Sequence, residues 1–224
     1  MFIEFSFSCH CPAGVIVTAI GVFVATRWES AAVRQAFAAS EMRVVGGIRC
    51  AVARQGQVEW WVIPMGVGPE RATTTAGRVL GEQSFAAVWS TGFACALGQA
   101  VIGEVLIGTH VTMEGGAEDG RSVPCAAAGA DWVRQAVQQQ RLPVQAGQFV
   151  SVPRVLCRAE DKQEIATRAG GVGLDMESAA LGFVASERKI PFVIVRTASD
   201  LVDENLPLDF NLFLRPTGWL KGIE

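Results

Sequence analysis

Positive charge is scarce in this sequence, and lysine is scarcer still. The 19 lysine and arginine residues are outnumbered by 22 aspartate and glutamate residues, so the net charge at pH 7 is −3. The only lysines are Lys162, Lys189 and Lys221. This balance argues against a dedicated nucleic-acid-binding protein and against a polybasic membrane anchor.

Long apolar runs are missing as well. No stretch reaches the roughly 18 uninterrupted apolar residues that a membrane-spanning helix requires. Residues 15–26 are apolar, but they include Thr18 and Gly21 and are followed by Arg27. The N-terminus also lacks the basic segment that begins a signal peptide. We therefore expect a cytoplasmic protein with no membrane span and no nucleic-acid partner.

The cysteines are too sparse for a disulfide scaffold. Disulfide-rich domains pack cysteines densely in short chains, whereas the cysteines that follow Cys9 and Cys11 here are 30 to 45 residues apart. Free thiols in a reducing compartment are the better interpretation. Cys9, His10 and Cys11 lack the second ligand pair of a zinc site, so we predict no metal site and no cofactor.

What the sequence does contain is enough apolar residues for a large core. Half of the residues are hydrophobic and the mean hydropathy is +0.31, and 224 residues suit one α/β domain. Strand and helix patterns alternate along the chain, which predicts a single three-layer α/β/α domain with a central mixed sheet. Residues 1–14 do not share the pattern, so we interpret them as an N-terminal extension of a domain over 15–224.

The periodicity of apolar residues predicts the individual elements. Strands are expected over residues 15–26, 44–54, 58–65, 85–90, 104–111, 148–152 and 190–197. Helices are expected over residues 29–40, 70–80, 131–140, 160–169, 176–188 and 208–214. Residues 91–100 and 112–129 are rich in small or polar residues and are predicted to be loops.

Several carboxylates stand near predicted strand ends, where ligands bind in α/β sheets. They are Glu29, Asp175, Glu177 and Asp200. Gly66-Val67-Gly68 also lies between a strand and a helix, where the backbone can approach a ligand. That segment lacks the third glycine of a dinucleotide site and the lysine of a P-loop. Taken singly, each feature has a simpler explanation as a tight turn, a helix cap or a charge at a helix start.

Taken together, two segments resemble the signature of the nucleoside phosphorylase and nucleosidase superfamily. They are LDMESAA at 174–180 and IPFVIVRTASD at 190–200. Members include purine nucleoside phosphorylases and methylthioadenosine/S-adenosylhomocysteine nucleosidases. Segments 66–72, 90–92 and 101–105 match the order and spacing of the family, so the resemblance covers residues 15–215. Residues 201–207 and 214–218 look most like the hopanoid-associated phosphorylases. The resemblance implies a phosphorylase/hydrolase-like fold.

The resemblance also implies an activity, which is cleavage of the N-glycosidic bond of a purine nucleoside, expected to be an adenine nucleoside. Asp200, with Ser199 beside it, matches the acid that protonates N7 of the purine. Glu177 matches the carboxylate that binds the ribose hydroxyls, and Glu29 matches the glutamate that activates water. Further substrate contacts are expected from Met176, Gly66, Gly68, Gly92, Phe93, Phe149 and Val150.

Three interpretations of the reaction stay open. Hydrolysis is favoured because a carboxylate at Glu29 repels phosphate by roughly 4 kcal/mol at about 4 Å and an effective dielectric near 20. Phosphorolysis is the first alternative, with phosphate as a second ligand. The other is an impaired nucleoside-binding member, since GFACAL at 92–97 replaces the family's glycine-rich GSAGGL loop and we expect a shortened C-terminal helix. The resemblance further implies a homodimer.

Overall fold

The computed structural model describes residues 17–212. Within that range, five α-helices pack on a sheet of ten strands. The strands are β1 (Thr18–Val24), β2 (Glu41–Val45), β3 (Ile48–Gln55), β4 (Val58–Pro64), β5 (Ala87–Ala96), β6 (Val105–Met113), β7 (Ser122–Pro124), β8 (Val144–Ser151), β9 (Gly173–Asp175) and β10 (Phe192–Leu201). The helices are α1 (Arg27–Ala36), α2 (Pro69–Glu82), α3 (Ala127–Gln139), α4 (Ala159–Ala169) and α5 (Ser178–Glu187), and a 3₁₀ turn follows at Phe210–Leu212.

The sheet branches at β5. The first half of β5 lies between β1 and β10, and both pairings are parallel. In its second half, Cys95 and Ala96 pair with β9 on one side while β10 continues on the other. Since β9 pairs with β8, β8 with β6 and β6 with β10, these five strands close into a ring. Beyond β1, strands β4, β3 and β2 extend as an open sheet.

Alternate side chains of β1 enter opposite halves of the core, as the period of a strand requires. Phe23 packs in the cluster that contains the apolar faces of α2 and α5. Val22 and Val24 pack on the other face, with Trp60 and the apolar side of α1. Trp89 joins that cluster to the one beneath α3. Helices therefore cover both faces of a mixed sheet, and the three-layer prediction is confirmed.

Helix α5 is buried on all sides. Every residue from Ser178 to Ala185 is buried, and the sequence of the helix is accordingly apolar all round. Gly182 marks the tightest contact of the helix. A Cβ atom there would lie 2.7 Å from Val123 Cγ1 and 2.8 Å from Phe192 Cε1. The helix thus sits close to β7 and β10, and the segment before it is held directly beside the strand ends.

The structure corrects four predicted elements. The predicted loop at 91–100 is strand as far as Ala96, because residues 91–94 of β5 pair with β10 and the buried Cys95 and Ala96 pair with both β10 and β9. The predicted loop at 112–129 contains β7 and the start of α3. The predicted strand at 44–54 is a hairpin of β2 and β3, turned by Gly46 and Gly47 at φ +57° and +74°. Within the predicted helix at 208–214, the described residues form only a 3₁₀ turn.

Two predictions concern the chain ends. The N-terminal extension at 1–14 lies outside the described residues, and so does the C-terminal segment in which a shortened helix was expected. Among the described residues, no helix is long and apolar enough to cross a membrane.

The packing of Gly182 leads to a test of stability. Glycine to alanine in a helix normally stabilises a protein by about 0.5–1 kcal/mol, but overpacking a core costs about 1–3 kcal/mol. We expect Gly182→Ala to lower the free energy of unfolding by about 1–3 kcal/mol, measured in urea. Gly77→Ala in α2 is the control, because nothing lies within 4 Å of its Cβ position. That variant should be more stable than the wild type, and equal effects of the two substitutions would contradict the packing described.

Candidate active site

A cavity of about 880 Å³ opens where several strands end. It is lined by residues that follow β1, β4 and β8, by the second half of β5 and by the ends of β9 and β10. Four carboxylates that the sequence places near strand ends all line it: Glu29, Asp175, Glu177 and Asp200. Carboxylates separated by up to 171 positions in the chain (29 to 200) therefore line the same cavity.

Arg196 is the centre of the inner part of the cavity. Its side chain is 1% exposed, and it points from β10 towards three carboxylates. Its terminal nitrogens lie 2.9 Å from Asp175 Oδ2, 3.5 Å from Glu177 Oε2 and 3.9 Å from Glu29 Oε1. Arg196 thus ties together the start of α1, the end of β9 and the segment that leads into α5.

Asp175 is the best-satisfied partner of Arg196. Its carboxylate also accepts hydrogen bonds from Ser151 Oγ at 2.5 Å, from Ser178 N at 3.2 Å and from Ser178 Oγ. The same arginine donates to Ser90 Oγ at 2.9 Å and to Ser178 Oγ at 3.2 Å. Its Nε is buried and has no hydrogen-bond partner within residues 17–212. Asp175 therefore fixes Arg196 and the N-terminus of α5.

Glu29 is oriented by its role as a capping residue. Its Oε2 accepts from Ala25 N, Thr26 N and Thr26 Oγ1 at 2.6–3.0 Å. The bond from Thr26 N and the reciprocal bond from Glu29 N to Thr26 Oγ1 at 3.2 Å form the capping box of α1. Its Oε1 accepts from Phe93 N at 2.8 Å. A carboxylate oxygen has two lone pairs, so Oε1 retains capacity for one further hydrogen bond from a ligand in the cavity.

Gly92 makes room for this arrangement. It has φ +137°, and a Cβ atom there would overlap Glu29 Oε1 and lie 3.0 Å from Arg196 Nη1. Only glycine allows β5 to pass so close to both side chains. The structure places Gly92 next to Glu29 and Arg196, within strand β5 and not in a loop.

Glu177 lies just before α5 and also contacts Arg196. Its Oε1 accepts a hydrogen bond from Gly68 N at 2.8 Å. Burial raises the pKa of this carboxyl from 4.5 to about 7, against the opposing effect of Arg196. The neighbouring Asp175 carboxylate raises the pKa further. Met176 also lines the cavity, and its Cε lies 3.8 Å from the Cβ position of Gly68.

Asp200 occupies the outer part of the cavity with its own cation. Its Oδ2 accepts from Lys162 Nζ at 2.5 Å, and its Oδ1 accepts from Ser199 Oγ at 2.8 Å. Neighbouring strand residues normally face opposite ways, yet Ser199 and Asp200 both line the cavity. A register shift between β10 and β5 at Ala198 and Asp200 explains this, because a bulge turns a side chain towards a site.

The other predicted contact residues separate into two groups. Gly66 and Phe93 line the cavity, and Phe93 is 52% exposed. Gly68, the N-cap residue of α2, does not line the cavity and donates its N–H to Glu177. Phe149 and Val150 do not line the cavity, because both are fully buried in apolar clusters of the core. The cavity wall after β8 is formed instead by residues 154–156 (Arg154, Val155 and Leu156).

Sequence reasoning assigned no role to the two cations that pair with the carboxylates. Arg196 carries a usable signal, since a charge inside the apolar strand 190–197 must be paired when it is buried. Lys162 carries almost none. It stands in a helix rich in charged residues, and only the tertiary structure reveals that its side chain is 0% exposed.

Comparison with known proteins identifies relatives of this chain. The sequence profile of the Phosphorylase superfamily matches residues 19–215. A 5'-methylthioadenosine/S-adenosylhomocysteine nucleosidase of Staphylococcus aureus (strain JH9) is 32% identical over 83 residues, which is 37% of this chain and 36% of that protein. The match thus spans about a third of the length of the curated relatives.

Solved structures resemble the chain over most of its length. A futalosine hydrolase mutant of Helicobacter pylori superposes with a TM-score of 0.75 at 19% identity, covering 90% of this chain and 94% of that one. The 5'-methylthioadenosine/S-adenosyl homocysteine nucleosidase of the same species, complexed with a substituted pyrrolidin-3-ol, gives 0.76 at 20% identity, covering 90% and 93%. These likenesses establish the fold.

The raised pKa of Glu177 predicts a pH-dependent stability. A carboxyl that holds its proton more tightly when folded stabilises the folded state below pH 4.5 and loses that contribution as pH rises through about 7. Between pH 5 and pH 8, the free energy of unfolding of Glu177→Gln should therefore rise relative to the wild type by on the order of 2–3 kcal/mol. Urea unfolding at both pH values measures this.

The control for this measurement is Glu70→Gln, which changes an exposed carboxylate in the first turn of α2. Its difference from the wild type should stay within about 0.5 kcal/mol across the same range. A Glu177→Gln difference that is equally flat would show that the carboxyl titrates normally.

Proposed function

The chain belongs to the Phosphorylase superfamily, and we propose that it cleaves the N-glycosidic bond of a purine nucleoside by hydrolysis. The observation that carries the proposal is the convergence of Glu29, Glu177 and Asp200 on one cavity. Cleavage of an N-glycosidic bond passes through an oxocarbenium-like state, which requires a proton for the base and a nucleophile for the sugar. Carboxylates at separate points of one cavity suit both needs.

Asp200 is proposed as the acid that protonates N7 of the purine, expected to be adenine. A purine leaves poorly until it is protonated, so a carboxyl group within reach of the base lowers the barrier. The bulge in β10 turns Asp200 into the cavity, and Ser199 donates to the carboxylate at 2.8 Å. Residues 154–156 form the adjacent wall, so we propose that the base stacks there.

Glu177 is proposed to bind the ribose 2′ and 3′ hydroxyls, with Met176 packed on the sugar. A carboxylate accepts from two hydroxyls at once, and Gly68 N–H already orients Glu177 at 2.8 Å. Because burial raises the pKa of this group to about 7, ribose binding should weaken as Glu177 gains its proton below that pH.

Glu29 is proposed to activate water. Four protein donors hold its carboxylate, and Oε1 has capacity for one more hydrogen bond. A water molecule there would give its proton to Glu29 as its oxygen attacks the anomeric carbon. A carboxylate next to the nucleophile suits neutral water and repels an anion.

Phosphorolysis is the second candidate, and one observation favours it. Five arginines besides Arg196 line the same cavity: Arg27, Arg34, Arg49, Arg71 and Arg154. Guanidinium groups are suited to binding phosphate. A hopanoid-associated phosphorylase would use phosphate as the nucleophile. The backbone amides of residues 66–68 give little support for phosphate binding, because the Gly68 N–H already donates to Glu177.

A catalytically impaired nucleoside-binding protein is the third candidate. Two features of the sequence suggested it: Cys95 and Ala96, which replace glycines of the family's loop, and the expected shortened C-terminal helix, which lies outside the described residues. Both residues lie in β5, are buried and pair with β10 and β9. Neither has positive φ, so this backbone does not require glycine at either position. The substitutions therefore give little reason to expect loss of activity.

We also propose a homodimer. Three large apolar side chains that line the cavity are exposed: Trp28 at 42%, Met42 at 43% and Phe93 at 52%. A neighbouring subunit would cover them and narrow the cavity. Light scattering at micromolar concentration should give twice the mass of the chain, and a monomer would contradict the proposal. The cytoplasmic location stays a prediction.

The decisive experiment measures base release from adenine nucleosides with and without phosphate. Hydrolysis predicts free sugar, formed at a rate that does not depend on phosphate and is lost in Glu29→Gln. Ribose 1-phosphate, formed at a rate that rises and saturates with phosphate, would establish phosphorolysis instead. Binding of nucleosides without any release of base would support the impaired-protein alternative.

A matched pair of variants tests the acid in this assay. Asp200→Asn keeps the size of the side chain but cannot donate the proton, so kcat should fall about a hundredfold or more. Asp203→Asn is the control, because Asp203 is exposed and close in sequence, and its kcat should equal that of the wild type. Wild-type kcat in Asp200→Asn would exclude Asp200 as the acid.

A further inference from the structure

Lys162 is buried behind Asp200 with all of its hydrogen-bonding capacity used. Its side chain is 0% exposed. The ammonium group donates to Asp200 Oδ2 at 2.5 Å, to Leu201 O at 3.1 Å and to Glu204 O at 2.9 Å. An ammonium group has three protons, so each of them has one acceptor. Two of these acceptors are backbone carbonyls, and the third is the proposed acid.

A fully buried ammonium is costly unless it is paired, so Lys162 requires the acceptors that surround it. The three acceptors come from the end of β10 and from the segment that follows it. Asn205 reinforces the junction, since its Oδ1 accepts from Ala159 N at 2.8 Å at the start of α4. Helix α4 is thereby fastened to the strand end that carries Asp200.

We propose that Lys162 is a positioning residue that holds Asp200 towards the purine and neutralises the carboxylate that remains when Asp200 has given up its proton. The inference rests on the proposed function. In the reaction, the proton moves from Asp200 to N7 and the electrons of the glycosidic bond pass to the base. Asp200 becomes a carboxylate, and Lys162 takes no part in the proton transfer.

Within residues 17–212, two uncharged side chains also interact with Asp200. They are the Ser199 hydroxyl on β10 and the Cys95 thiol on β5, and the Glu204 carboxylate in the segment after β10 lies near the same thiol. Burial raises the pKa of the Cys95 thiol, so it stays neutral. Glu204 is directed to its own chain segment, since its Oε2 accepts from Leu201 N at 3.3 Å. Lys162 is therefore the cation in direct contact with the carboxylate.

The test compares Lys162→Met and Lys162→Gln with the wild type in base release from pH 5 to pH 10. Both variants should lower kcat tenfold or more, with KM changed less than threefold. Both variants remove the positive charge next to the proposed acid. The alkaline limb of the pH–rate profile should therefore move to higher pH. A residue that only supports the fold would lower the rate without moving this limb.

The control is Arg168→Gln, which removes a cation from the same helix. Arg168 pairs with Glu114 and Glu164 at the surface, where it is 52% exposed. Its kcat and its pH profile should match those of the wild type. A shift of the limb as large as that of the Lys162 variants would overturn the specific role of Lys162.

A double-mutant cycle provides a second, independent readout. Lys162→Met combined with Asp200→Asn leaves no unpaired charge in the junction, so this variant should fold even where Lys162→Met alone does not. If Lys162 acts through Asp200, its removal from the Asp200→Asn background should change kcat less than threefold. If the two substitutions lower kcat by independent factors that multiply in the double variant, the inference is overturned. A wild type that releases base from no nucleoside would overturn the proposed function itself, and the inference with it.

Discussion

The candidate active site depends on one buried cation, Arg196. Taking a guanidinium and several carboxylates out of water costs several kcal/mol for each ion, and only close pairing offsets that cost. Arg196 contacts Asp175 and Glu177 and lies 3.9 Å from Glu29, so it joins three parts of the chain at one point. Loss of this guanidinium would leave three buried carboxylates facing one another.

Three carboxylates around one cation leave an excess of negative charge, which has a consequence for Glu177. Asp175 has the closest contact with Arg196 and three further hydrogen bonds. Glu177 has one backbone donor and a longer contact with the arginine. Burial therefore raises the pKa of Glu177 to about 7, and the site keeps an acceptor whose charge responds to a ligand and to pH.

Strand β10 separates the cavity into two charge-paired parts. Arg196 stands within the strand and serves the inner carboxylates, while Asp200 lies four residues further on and pairs with Lys162. The bulge between them lets consecutive residues, Ser199 and Asp200, face the same cavity. One strand thus carries both Arg196, which contacts the Glu177 proposed to bind the ribose, and Asp200, the group proposed to protonate the base.

Local sequence patterns determined the fold class and much of the site. Alternating strand and helix periods predicted the three layers, and residues 174–180 and 190–200 pointed to Glu177 and Asp200, which both line the cavity. Phe149 and Val150 show the limit of that reasoning. An apolar strand residue looks the same whether it faces the core or a ligand, and only the packing of β8 decides between the two.

Tertiary structure alone decided which cations meet which carboxylates. Asp200 and Lys162 are 38 positions apart, and Arg196 is 167 positions from Glu29. No local propensity relates residues at such distances, because their contact depends on strand order, register and a bulge. The same holds for Gly92, whose lack of a side chain has a purpose only once Glu29 and Arg196 are packed against it. The sequence by itself thus determined which chemical groups are present, and the fold decided their charge partners, since burial and pairing exist only after the chain has closed around them.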